Sequence, residues 1–343
     1  LRVVEPAFPG AAIVHASGAV SAAKGAERIA DMEAGVALYG PGALVIAEGT
    51  LPPTTISDVR DAGAPEPSRP SSAAAAGGRL YLAQGSRVWR DGGSGVDLAD
   101  GVEDLAAGES AIAATTAAGV AVLGIDAAGD PAIGSVVALP EKAEALGVAI
   151  AGKAACVAAG DAGLVVLDAS SPQKASITGG FAGHGAVTSV ASRKLWCFGL
   201  AEDGKVLAVS VVDPEDPRLA GTLHETGGKP ASIWPAGNEI AAITEGGTLA
   251  ILSVEAPPAS SVIAEVEVPG LEPGLAGGFA RIDDVAIVAG PVTWILRFDE
   301  DDSGLAGVYA SPWDPGSVTV TKDGSLIGAG GTTLWTLDLA CVR

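Results

Sequence analysis

The apolar residues of this chain fall in short runs, each led by a glycine and closed by a turn. Gly42 precedes Ala-Leu-Val-Ile-Ala, Gly85 precedes Ser-Arg-Val-Trp, Gly119 precedes Val-Ala-Val-Leu and Gly163 precedes Leu-Val-Val-Leu-Asp. Gly204, Gly247, Gly290 and Gly331 lead similar runs. Short Val-rich runs bounded by Gly, Pro and Asp read as strands. Their continuous rather than alternating character suits strands covered on both faces. The glycines recur at offsets of 43, 34, 44, 41, 43, 43 and 41 residues. Eight units of that period fill nearly all of the 343 residues, which leaves no room for two unrelated domains.

Each unit repeats one internal order, clearest over residues 186–222. Ala186–Ala191 reads as a first strand, Ser192-Arg193 as a turn and Lys194–Gly199 as a second strand. Glu202-Asp203-Gly204 is a tight turn of the kind that favours positive φ. Lys205–Val212 is a third strand, Asp213–Pro217 a corner and Arg218–Leu223 a fourth strand. Four short strands per repeat is the pattern of a propeller blade. The sequence therefore predicts an all-β protein: one β-propeller domain over residues 1–343 with eight four-stranded blades. The alternative is seven blades and an irregular N-terminal segment. The last unit offers only three strands, so residues 1–26, through Leu1–Val4 or Ala11–His15, are expected to complete the last blade and remove the exposed edge.

Two units carry a family resemblance. Gly163-Leu-Val-Val-Leu-Asp168-Ala-Ser-Ser-Pro172, and Val206-Leu-Ala-Val-Ser-Val-Val-Asp213-Pro-Glu-Asp-Pro217 followed by Leu219-Ala-Gly221, resemble the LVIVD-repeat family of bacterial and archaeal propellers. Residues 247–258 match in part, with Glu255 and Pro257 where Asp and Pro belong. The resemblance implies a secreted or surface-attached propeller with no single activity and no catalytic set. Pyrroloquinoline-type propellers are a weaker match, because Asp168 is followed by Ala-Ser-Ser-Pro rather than Thr-Gly and Trp. The Asp–Pro corner also has a physical reason: Asp accepts from the amides just after it, and Pro fixes the φ of the bend.

Composition narrows the partners. Forty-eight Gly and 22 Pro beside 48% hydrophobic residues argue against a helical bundle and against disorder. The Ala- and Gly-rich, Asn-poor composition reads as that of a bacterial chain. Forty-one acids against 20 bases leave a net charge of −21, which repels phosphate backbones and anionic lipid. No nucleic-acid partner is expected. Membrane insertion is not expected either, since no apolar run approaches the ~18 residues of a spanning helix. The opening Leu-Arg-Val-Val-Glu-Pro is not a signal peptide. With the family resemblance, the expectation is an extracytoplasmic protein (periplasmic, cell-surface or secreted) whose leader is absent from this stretch. Cys156, Cys197 and Cys341 are too few for a disulfide framework. Cys156 and Cys197 each lie seven residues before the glycine of their own repeat. They are expected to point the same rotational way, as small buried hydrophobes rather than a bonded pair.

The candidate chemistry is sparse. Asp299, Asp301 and Ser303, followed by Gly304, resemble the first half of a calcium loop, so Ca2+ is the one cofactor the sequence suggests. The closing acid is missing, with Ala310 in its place, and a solvated acidic hairpin turn is the competing reading. Gly199 to Lys205 imitates a phosphate loop but leads into a hairpin, not a helix. His184 and His224 lie in segments that join one blade to the next, around one mouth of the channel. Trp313, in Ser-Pro-Trp-Asp-Pro, is the best placed for a protein or sugar contact. Trp234, Trp294 and Trp335 read as packing residues. No nucleophile–base pairing is legible. The expected function is a non-enzymatic binding or scaffold propeller acting outside the cytoplasm through protein or glycan contacts. The alternatives are a propeller hydrolase or lactonase with a channel-bound divalent metal, and a purely structural subunit of a surface assembly.

Overall fold

The computed structural model describes residues 28–32, 35–39, 56–61, 70–140, 143–236, 238–268, 271, 278–282, 285–289, 293–298, 304–309, 317–320, 326–330 and 333–337. It is a β-propeller. Six sheets are antiparallel four-stranded meanders of consecutive strands. The fourth of them is representative: Val187–Arg193, Trp196–Ala201, Val206–Ser210 and Arg218–Thr222, paired in that order. The first turn comes later than the sequence suggests, at Lys194-Leu195, with Lys194 at φ 51°. A further four-stranded sheet is composite. Ser317–Val320, Leu326–Gly330 and Thr333–Leu337 form three strands, and Ile56–Asp61 pairs with Thr333–Leu337 as the fourth.

The innermost strands are, in ring order, Pro70–Ala76, Val102–Ala107, Gly147–Ala151, Val187–Arg193, Pro230–Ala236, Gly278–Ile282 and Ser317–Val320. Each lies against the next, and Ser317–Val320 meets Pro70–Ala76, so the circle closes. Numbered from Pro70, the described residues thus hold seven four-stranded sheets, which corrects the expectation of eight blades. The surplus unit is the one led by Gly42. Its neighbourhood supplies a two-stranded hairpin, Arg28–Met32 with Gly35–Tyr39, and the closing strand Ile56–Asp61. The last blade takes its fourth strand from the N-terminal part of the chain, as ring closure requires, and among the described residues that strand is Ile56–Asp61. Residues 1–26 lie outside the described residues.

The core lies between blades. In blade three, Ala155, Val157, Val165 and Leu167 pack toward Ala113, Val120 and Val122 of blade two. The alternate residues Ala154, Cys156, Leu164 and Val166 pack toward Leu207 and Val209 of blade four. Both faces of a middle strand are therefore dry, which explains why the runs are continuous in sequence. The repeated glycine answers a backbone demand. Gly163 has φ 82°, and a Cβ there would stand 2.3 Å from the carbonyl oxygen of Phe181 on the outer strand. Gly119 has the same problem against Val137. Only glycine allows both the φ and the approach.

The Asp corners form as the sequence implies. Asp168 accepts from the Ser170 amide at 2.9 Å, and Asp213 accepts from the Glu215 amide at 3.0 Å. The cysteines do not follow expectation. Cys156 and Cys197 form a disulfide between the second strands of blades three and four, with Cα atoms 6.0 Å apart. The reason is strand register. The pair Ala158–Leu164 is centred on Asp161, whereas Leu200–Val206 is centred on Asp203. Cys156 thus stands five residues before its centre and Cys197 six before its own. A difference of one residue turns the second cysteine to the opposite face, so the two sulfurs meet in the same inter-blade core.

Candidate functional site

The described residues surround a cavity of about 500 Å³ along the central channel, with contributions from six of the seven innermost strands. Small side chains keep it open: Ala73, Ala74 and Ala75 on one strand, Gly147 and Ala149 on another. Four innermost strands share one device. After the first strand pair each slips by a bulge, and the residue just past the bulge is polar: Ser72, Asp104, Ser189 and Ser232. A bulge re-aims a side chain, and here it sets polar groups at one level of the ring.

Asp104 is the centre of this set. Its carboxylate accepts from the Val148 amide at 2.9 Å, from the Leu105 amide at 2.8 Å and from the Ser72 hydroxyl at 3.3 Å. It thereby ties the innermost strands of blades one, two and three. Burial pushes its carboxyl above the ordinary carboxylate value, and these three donors oppose that rise. Ser189 makes a matching tie between blades four and five, donating to the Ile233 carbonyl at 3.1 Å. Ser192 donates to the Ile150 carbonyl of blade three at 2.8 Å.

Two further groups give the cavity chemistry. Glu103, beside Asp104, is exposed, and these two carboxylates are the only charged side chains among the described lining residues. Trp234 lines the opposite wall, half-buried, and stacks against Phe279 with ring centroids 6.3 Å apart and planes at 28°. The arrangement offers an aromatic face, a free carboxylate and a partly committed row of hydroxyls. That combination suits a polar ligand with an apolar side, as a sugar has.

His184 sits half-buried between blades three and four, and His224 sits exposed between blades four and five, both on blade-joining segments as the sequence indicates. Neither is among the described residues lining the cavity. Trp313, Asp299, Asp301 and Ser303 lie outside the described residues. Among those described, no group of three His, Cys, Asp or Glu side chains could hold a metal ion. Trp294 is a core residue, 1% exposed, and Trp234 packs against the same core cluster while also forming a wall of the channel. Asp104 and Glu103 are the residues that sequence reasoning missed. The signal was available, for they are the only acids on the seven innermost strands. Known families add nothing further: no family model and no curated protein matches this chain.

Proposed function

We propose that this chain is a non-enzymatic binding or scaffold propeller that acts outside the cytoplasm and meets a protein or glycan partner at its channel. The observation that carries the reading is the channel cavity, with Trp234 on one wall and Glu103 and Asp104 on the other. An aromatic face stacks on a sugar ring while carboxylates accept from its hydroxyls, so a glycan is the better fit of the two. The buried Cys156–Cys197 disulfide supports the location, because disulfides form and persist in oxidising compartments. The resemblance of the Gly163 and Val206 units to LVIVD repeats points the same way.

The test is a glycan array followed by titration calorimetry on the best hits, with Trp234→Ala and Glu103→Gln as variants. The reading expects Trp234→Ala to weaken the leading hit by about tenfold or more while the fold persists. Glycan binding that ignores both substitutions would reject the channel as the site. Native protein found only in the cytosolic fraction would reject the location.

A further inference from the structure

A second concave surface lies at the far ends of the blades, away from the blade-joining segments. It is a groove of about 910 Å³ formed by the turns of blades two, three and four. Its floor is aliphatic. Leu195 is 40% exposed and Val212 is 69% exposed, and the two are held together because the Val211 amide donates to the Leu195 carbonyl at 2.9 Å. Ile150 continues the floor beneath them. Single exposed aliphatic residues are ordinary, but a contiguous aliphatic floor inside a polar-rimmed groove marks an interaction site. The rim is acidic: Glu109 of blade two, with Asp213 and Glu215 of blade four, against the single base Lys153.

We infer that this groove docks an extended basic segment of a partner protein, with an aliphatic side chain seated on Leu195 and Val212 and Lys or Arg side chains against Glu109 and Glu215. Charge complementarity selects this occupant. A second copy of the chain would bring another −21 charge to an acidic rim, and a two-fold contact would set the acids against themselves. A purely apolar partner would leave the carboxylates without a counterpart. A basic segment with aliphatic anchors satisfies floor and rim together, and the overall negative field would steer its approach. This surface shares only Ile150 with the channel cavity, and neither test alters that residue, so glycan binding and peptide docking can fail independently.

The probe is a fluorescein-labelled peptide, Lys-Leu-Lys-Leu-Lys-Leu-Lys, compared by anisotropy with its isocharged counterpart Lys-Ser-Lys-Ser-Lys-Ser-Lys. The expected result is about tenfold tighter binding of the leucine peptide. That preference should vanish in the Leu195→Ser/Val212→Ser double variant. In Glu109→Gln/Glu215→Gln both peptides should weaken severalfold, with a shallower salt dependence. Equal binding of the two peptides, or a preference that survives the double serine variant, overturns the proposal. Should the serine variant fail to fold, hydrogen exchange on the unaltered chain decides. Slowing at residues 109–110, 152–153, 195 and 211–215 on adding the leucine peptide supports the groove. Slowing elsewhere, or nowhere, overturns it.

Discussion

The disulfide between Cys156 and Cys197 offers the sharpest test of the architecture, because it exists only if two repeats are stacked with opposite strand parity. The cysteines are 41 residues apart, and both are fully buried. Closing a loop of that length removes about 13 cal/mol/K from the unfolded chain, which is about 4 kcal/mol at 25 °C in the chain-entropy account. Unfolding entropy of about 2.1 cal/mol/K per residue converts this into a loss of about 5 °C in Tm for a chain of 343 residues. The assay is a double-mutant cycle on protein exported to an oxidising compartment: Cys156→Ala, Cys197→Ala and both together, melted with denaturant and heat. A disulfide makes each single variant cost nearly as much as the pair, a coupling of about 4 kcal/mol. Two merely packed thiols would instead give small additive losses of about 1 kcal/mol each. Alkylation in denaturant gives the chemical check, since the bonded protein exposes one thiol, Cys341, out of its three cysteines. Three alkylated thiols, or additive single-variant costs, would refute the stacking of Cys156 on Cys197.

Further expectations follow from individual contacts. Gly163→Ala forces a side chain into φ 82° and onto the Phe181 carbonyl, and should cost about 1–3 kcal/mol or more. Gly180→Ala, with no atom within 4 Å of the new Cβ, serves as its near-neutral control in the same denaturant melt. The Ser94 hydroxyl and the Arg90 guanidinium hold the Asp130 carboxyl down at about 2, below the ordinary carboxylate value. That tie therefore stabilises above pH ~4 and is lost as pH falls toward 2. Asp130→Asn should flatten the acid limb of the melting curve, and an unchanged acid limb would remove the tie. Asp104 behaves with the opposite sign. Its raised carboxyl binds its proton more tightly in the folded state, so its contribution is present below pH ~4 and is lost as pH rises through the folded value. Urea melts of Asp104→Asn should therefore gain on the parent protein between pH 4 and pH 7, and the reverse trend would contradict its buried setting. Deleting residues 1–61 removes the fourth strand of the composite blade; light scattering should then show edge-to-edge association.

Why some of this was legible and some not comes down to what a period can encode. The repeat glycine announces itself because positive φ recurs at Gly85, Gly119, Gly163, Gly204 and Gly247, and at Gly119 and Gly163 an outer-strand carbonyl also leaves no room for a Cβ. The Asp corners at Asp168 and Asp213 announce themselves because their bonds are local, reaching only two residues along the chain. Blade number is different. A glycine and an aliphatic run mark a strand, not a sheet, so the Gly42 unit counted as a blade although the strand near it, Ile56–Asp61, belongs to a sheet at the other end of the chain. The disulfide and the channel site depend on something finer still. The period places a residue along its strand, but its face is set by the centre of the strand pairing and by bulges, and a shift of one residue inverts it. That shift brings Cys197 onto Cys156, and a bulge after Val102 sets Asp104 level with Ser72, Ser189 and Ser232 around the channel. In a repeat protein of this kind, the chemistry is therefore written in departures from the repeat, and pairing register is the quantity that turns a list of equivalent positions into a site.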